Sequence, residues 1–168
     1  MNTLRYLFLA AGLITAPAFA SPTASAEFIG VEGEKLGAAS LVQTPSGVLI
    51  QARLQGLPEG EHGFHIHEAG KCEAPFKSAG GHFNPDNRKH GLMTEDGPHA
   101  GDMPNIHVPA SGELRTDALN TFVTLEEGQP NSLLGGEGTA LMIHAGQDDH
   151  ESDPAGDAGA RIACAVIE

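Results

Sequence analysis

Long helical periodicity is missing from this chain of 168 residues, and so are internal repeats and low-complexity tracts. Helical architectures are thereby set aside. Basic residues are scarce: 9 Lys and Arg stand against 22 Asp and Glu, a formal net charge of −13 at pH 7. Phosphate backbones and anionic bilayers repel such a chain, which removes nucleic acid and charged membrane surfaces from the candidate partners. Hydrophobic runs are short as well. One almost unbroken run, residues 6–16, follows Arg5 and precedes Ala18-Phe19-Ala20. A basic start, an apolar stretch too short to span a bilayer and a small-x-small ending predict a signal peptide over residues 1–20, cleaved after Ala20.

No Cys follows that cleavage site, which excludes a lipid anchor there, and no second long apolar run follows it. The expected product is one soluble domain, residues 21–168, outside the cytoplasm. Losing residues 1–20 removes Arg5 and no acid, leaving 8 bases against 22 acids and a formal charge of −14. The short signal and the absence of any Asn-x-Ser/Thr sequon point to a bacterial periplasm. Cysteine is limited to Cys72 and Cys164. In an oxidising compartment two cysteines read first as one disulfide, with a pair of metal-binding thiols as the alternative.

Short alternating segments take the place of helices. Val48, Ile50, Ala52 and Leu54 share one parity, with Gln51 and Arg53 on the other. Turn-forming stretches such as Pro45-Ser46-Gly47 and Leu57-Pro58-Glu59-Gly60 punctuate them. The pattern predicts an all-β, antiparallel sandwich or barrel of about eight strands, near residues 27–31, 36–43, 47–55, 62–68, 104–109, 113–118, 120–126 and 139–145, with 161–167 as a closing strand. Residues 21–26 read as a loose tail. Two segments, 68–103 and 145–159, are too long and irregular for hairpin turns, and long loops in a compact domain are usually functional.

Residues 63–102 concentrate the chemistry. His65, His67, His82, His90, His99 and Asp102 fall within this stretch, several flanked by Gly or Pro. Imidazole and carboxylate are common ligands of first-row metals. His65 and His67 are two apart on a predicted strand, so both project from one face while Phe64 and Ile66 project from the other. A pair of ligands for one metal has this spacing. His62 reads as a structural hydrogen-bonding residue, and His107 and His150 as surface residues.

Taken together, Gly63-Phe64-His65-Ile66-His67, Gly81-His82-Phe83-Asn84-Pro85, Arg88-Lys89-His90-Gly91, His99-x-Gly101-Asp102, the run to His144, and Gly159-Ala160-Arg161-Ile162-Ala163-Cys164 resemble the copper/zinc superoxide dismutase family, in its secreted bacterial form. The resemblance covers essentially all of residues 21–168. It implies a Greek-key barrel with two functional loops, one copper and one zinc per subunit, and dismutation of superoxide by alternate reduction and reoxidation of the copper. Copper would be held by His65, His67, His82 and His144, and zinc by His82, His90, His99 and Asp102, the His82 ring bridging the two. Asp148 would tie a copper histidine to a zinc histidine, Arg161 would receive the superoxide anion with His82 as its catalytic partner, and Cys72 would pair with Cys164. A homodimer is the assembly the family suggests, although the interval from His67 to Cys72 is shorter here than in members with a longer loop. Alternative readings are a periplasmic copper-binding or copper-delivery protein on the same scaffold, a copper-only dismutase, and a zinc hydrolase, which would need an open zinc position.

The substrate is an anion and the chain is strongly acidic, so distances decide which field the substrate feels. An arginine about 5 Å away attracts by about 3 kcal/mol at an effective dielectric of ~20. Scattered surface charges about 20 Å away repel by only a few tenths of a kcal/mol in total once screened. The second loop carries Asp148, Asp149, Glu151, Asp153 and Asp157 and no Lys before Arg161. Any steering by lysine is therefore expected from Lys71 and Lys77 on the first loop.

Overall fold

The computed structural model describes residues 21–168; the expected signal peptide lies outside the described residues. Nine strands follow in order: β1 Thr23–Gly30, β2 Lys35–Thr44, β3 Gly47–Leu54, β4 Gly60–His62, β5 Phe64–His67, β6 Ile106–Val108, β7 Leu114–Asn120, β8 Ala140–His144 and β9 Arg161–Val166. Seven form one curled antiparallel sheet in the order β5-β8-β9-β1-β2-β3-β7, and β4 pairs with β6 in a second, short sheet. The expected all-β class is what the chain adopts, with β9 seated between β8 and β1.

Alternation builds the core as the sequence suggests. Val48, Ile50, Ala52 and Leu54 all point inward and are buried. They meet Phe28, Leu41, Phe64, Ile66, Leu141 and Ile143 in one apolar cluster. A second, smaller cluster lies on the other side of the sheet, where Phe76 and Ala79 from the first long loop cover Ala140, Met142 and Cys164. Strands β5 and β8 are thus buried on both faces, and every residue of each is buried. Their outer face is where the metal-ligand candidates stand.

Three expectations are corrected. Residues 21–26 are no tail: β1 starts at Thr23 and pairs with β2 from Thr23↔Val42 onward. Its inward residues there are alanines and its outward ones hydroxyls, an alternation too weak in hydrophobicity to register as a strand. The stretch 62–68 is two strands, because the chain passes from the short sheet (His62↔Ile106) to the large one (Phe64↔Ile143) across Gly63. Residues 121–126 alternate, with Val123 and Leu125 buried, yet form no strand. Their backbone is served instead by the Gln43 side chain, whose Oε1 accepts from Leu125 N–H at 2.7 Å, and by residues 131–133.

Cys72 and Cys164 form the disulfide. It fastens the first long loop to β9 across 92 residues, a closure worth about 4–5 kcal/mol by chain entropy. Replacing Cys72 and Cys164 by serine should therefore lower the unfolding free energy of the metal-free chain by about 4 kcal/mol in urea titrations. A loss below about 1 kcal/mol would mean that the unfolded chain is already constrained.

Candidate metal centre

The first long loop returns twice to the outer edge of β5. Glu68 N–H donates to the Gly81 carbonyl (3.0 Å), Phe83 N–H to Ile66 (2.8 Å), Ile66 N–H to Gly101 (2.9 Å) and Gly101 N–H to Phe83 (2.8 Å). These bonds set His82 opposite His67 and Asp102 opposite His65. The second pass lies so close that a side chain at Gly101 would collide with the Ile66 carbonyl oxygen. From β8 comes His144, at the point where the register with β9 slips by one residue.

Two groups of ligand atoms result. His65, His67, His82 and His144 form one; His82, His90, His99 and Asp102 form the other, and within each group one atom per residue lies within 4.8 Å of the rest. All seven residues are buried. His82 alone among the described residues belongs to both. Buried polar atoms normally find a partner, yet His65 Nδ1, His67 Nε2, His82 Nε2, His90 Nδ1, His99 Nδ1 and His144 Nε2 have none in the protein. On the first group's other sides, His65 Nε2 meets Asp148 at 2.7 Å, His67 Nδ1 meets the Gly80 carbonyl at 3.0 Å and His144 Nδ1 meets the Gly159 carbonyl at 3.2 Å. One nitrogen of each ring is thus anchored and the other left free.

In the second group, Asp102 Oδ1 has the Nδ1 atoms of His82, His90 and His99 at 2.7, 3.1 and 3.4 Å. Ligands about 2.0 Å from a tetrahedrally held ion stand roughly 3.3 Å apart; the His90 and His99 separations are of that size, while the His82 contact is a hydrogen bond. Asp102 Oδ2 accepts the N–H groups of Gly91 and His99, both at 2.9 Å. The donor sets fit the implied ions: four imidazoles for copper, three imidazoles and a carboxylate for zinc.

Asp148 is fully buried between the groups, Oδ2 on His65 Nε2 at 2.7 Å and Oδ1 on His90 Nε2 at 3.0 Å. Asp148 thus contacts one histidine of each group. The loop comes close enough for it only because Gly156 has a positive φ of 61° and no side chain; a Cβ there would overlap the Asp148 carboxylate. Asn105, which no sequence motif singled out, clamps the Asp148 backbone from both sides, accepting its N–H (2.9 Å) and donating to its carbonyl (2.8 Å). His150 is not at the surface: its side chain is 16% exposed and faces Asp148. His62 is structural as expected, its ring bonded to the His144 and Pro58 carbonyls at 2.7 and 3.0 Å. His107 is exposed and pairs with Glu61.

A cleft of about 350 Å³ opens onto the first group, lined by His67, Glu68, His82, Asn87, His144 and Arg161, among others. Arg161 is its only cationic lining side chain among the described residues. The guanidinium donates to the Phe76 and Gly80 carbonyls, both at 2.6 Å. Both acceptors lie in the segment that the disulfide fastens to β9, so the covalent link also steadies the cation. Lys71 is held by Glu137 at 2.7 Å, and neither Lys71 nor Lys77 lines the cleft.

Without metal, burial depresses the imidazoles of the first group. His67 falls to about 2, by desolvation and then by repulsion from His82 and Arg161. His144 falls to about 3, by desolvation and the nearby His65. Desolvation lowers His82 to about 4 even though Asp102 favours its charged form. For His90, burial opposes protonation but the nearby carboxylates of Asp102 and Asp148 prevail, raising it to about 9. Burial likewise opposes ionisation of Asp102 and Asp148, and their hydrogen-bond donors outweigh it, holding both well below the carboxylate range.

Residues 35–167 match the family model described as copper/zinc superoxide dismutase. Over 145 residues the chain is 57% identical to "Superoxide dismutase [Cu-Zn] 1" of Aquifex aeolicus, covering 85% of this chain and 86% of that protein. It is 38% identical over 144 residues to "Extracellular superoxide dismutase [Cu-Zn]" of Haemonchus contortus, covering 82% and 76%. The crystal structure of a SOD-like protein from Bacillus subtilis superposes with a TM-score of 0.83 at 35% identity, covering 86% of this chain and 97% of that one.

The depressed imidazoles give the metal-free chain a pH dependence of definite sign. His67, His82 and His144 titrate lower folded than their unfolded value near 6.5. Below that value the unfolded chain binds more protons, so stability falls as pH drops. His90 has the opposite sign, and its contribution is complete below about 6.5 and lost as pH rises through about 9. The urea midpoint of metal-free protein should fall steadily from pH 6.5 to pH 4; a flat midpoint across that interval would contradict the burial of these rings.

Proposed function

The chain belongs to the copper/zinc superoxide dismutase family, and we propose from that premise which of its residues carry the dismutation of superoxide to dioxygen and hydrogen peroxide. Copper would be held by His65, His67, His82 and His144, and zinc by His82, His90, His99 and Asp102. The observation that supports this most directly is the convergence of six buried, unpartnered ring nitrogens and one carboxylate oxygen into two groups sharing one ring. Copper, when bound, supplies the one-electron redox step, and zinc, which has no second accessible state, supplies fixed charge.

The protein's own groups do the rest. Arg161, fixed by two carbonyls at the side of the cleft, attracts the anion and orients it toward His67, His82 and His144. His82 Nε2 is the atom beside the bound anion at which a proton can be held and passed on, while its Nδ1 stays on the Asp102 side. Asp148 fixes the tautomers of His65 and His90 by accepting from their Nε2–H groups. A copper-delivery protein would need neither a shared His82 nor a cation anchored at the cleft, which is why that reading is not favoured.

We also read residues 1–20 as an export signal. The first strand begins three residues beyond the expected cleavage point, the chain carries a disulfide, and one of its relatives is named as extracellular. Among the described residues no helix is long and apolar enough to cross a membrane.

Two measurements test these readings. Metal-loaded protein should accelerate superoxide decay, and Arg161→Ile should slow it by about tenfold or more while copper content stays at one per chain. An unchanged rate would remove Arg161 from the mechanism, and no acceleration by the loaded wild type would favour the delivery protein. Intact mass of protein recovered from the periplasm should correspond to a chain beginning at Ser21; a mass retaining residues 1–20 would refute the export signal.

A further inference from the structure

Asn105 and Asp148 together fix the state of a third imidazole. Asp148 N–H donates to Asn105 Oδ1, and Asn105 Nδ2 donates to the Asp148 carbonyl. Because an N–H needs an acceptor and a carbonyl needs a donor, these two bonds determine the sense of the Asn105 amide. The same Nδ2 faces His150 Nε2 at 3.1 Å. A donor there requires an acceptor opposite, so Nε2 carries no proton and the neutral ring bears its proton on Nδ1. That atom is buried with no other partner and lies 3.5 Å from Asp148 Oδ2.

We propose that His150 is a positioning residue for the metal centre, its Nδ1–H steadying the Asp148 carboxylate that orients His65 and His90. At this separation the contact acts as a charge–dipole attraction, longer than a strong hydrogen bond. The backbone of the same residue reinforces it. His150 N–H donates to Asp148 Oδ1 at 2.7 Å, and the His150 carbonyl accepts from Met93 N–H at 3.1 Å, three residues beyond His90. The residue does this with a φ of 62°, a left-handed conformation that among non-glycine residues asparagine, aspartate and histidine adopt most readily. Both the ring and the backbone of His150 thus bear on the one carboxylate shared by the two groups. The inference rests on the assignment of His65 and His90 as metal ligands.

The reduced, metal-loaded protein is diamagnetic, and long-range proton–nitrogen NMR reads its imidazole tautomers. His150 should show the Nδ1–H form at pH 7; the Nε2–H form would overturn the proposal whatever any variant does. Zinc transfer from the holoenzyme to EDTA gives the second reading. His150→Leu should speed it by about tenfold, the low end of what loss of a group supporting a ligand costs. His150→Asn, which keeps a donor and tolerates the left-handed backbone, should stay within about twofold of wild type. In an Asp148→Asn background the leucine variant should add less than about twofold, because the carboxylate through which His150 acts is gone. Equal factors in both backgrounds, or unchanged release in His150→Leu, would overturn the proposal. Wild-type protein that takes up no zinc would instead refute the ligand assignment, so the two failures are distinguishable.

Discussion

Three backbone hydrogen bonds along the outer edge of β5, and a fourth between the two loop passes that make them, decide where the metal ligands stand. An unpaired strand edge is a row of donors and acceptors that needs covering. Here the long first loop covers it, in two short passes around Phe83 and Gly101. Because His82 and Asp102 adjoin the paired residues, satisfying the edge also delivers a ligand from each pass next to His67 and His65. Sheet geometry therefore places the ligands to within the reach of one ion without any helix or dedicated binding domain. The loop is long because it must make both passes and still extend to Cys72, where β9 holds it by the disulfide.

The chain reconciles strong acidity with an anionic substrate by what it buries. The two carboxylates nearest the metals, Asp102 and Asp148, are buried and turned onto imidazole nitrogens and backbone N–H groups. Each is neutralised locally by its donors. The remaining acids of the second loop are mostly exposed to water, where screening limits their reach to roughly 8 Å at physiological salt. Arg161 lies in the cleft, half-buried, with its donors fixed by carbonyls, so its field acts on the approaching anion at short range. Lys71, engaged by Glu137, is a weaker candidate for steering than the sequence suggested.

Much of the centre was legible in the sequence because its signals are local and chemically specific. The His65 and His67 pair on a strand, the glycine-flanked His82 and the Asp102 motif each have a spacing that survives without coordinates. Parity was readable wherever the inward residues are large, as in β3. It failed in β1, where Ala24 and Ala26 face inward, and it misled at residues 121–126, where a glutamine side chain takes the place of a neighbouring strand. Asn105 and His150 were missed for a different reason. Asn105 holds Asp148 from 43 residues away, where no spacing encodes the partner, and His150, two residues from Asp148 in sequence, faces it from a left-handed backbone that no residue pattern announces.

Core and centre also differ in what sustains them. The apolar cluster between the strands is complete with protein atoms alone, including Ala100 and Met103 from the first long loop. The centre is not complete in that sense: six ring nitrogens are buried without partners, and each such group costs about 1–3 kcal/mol when left unpaired. Metal binding removes that cost, so the free energy of binding falls mainly on the loops that supply His82, His90, His99 and Asp102. The paired strands β5 and β8 are the wall against which those ligand-bearing loop segments are held. A division of this kind explains why the disulfide joins loop to strand rather than strand to strand. It adds a covalent restraint to the buried Phe76 and Ala79 contacts by which the first loop covers β8 and β9.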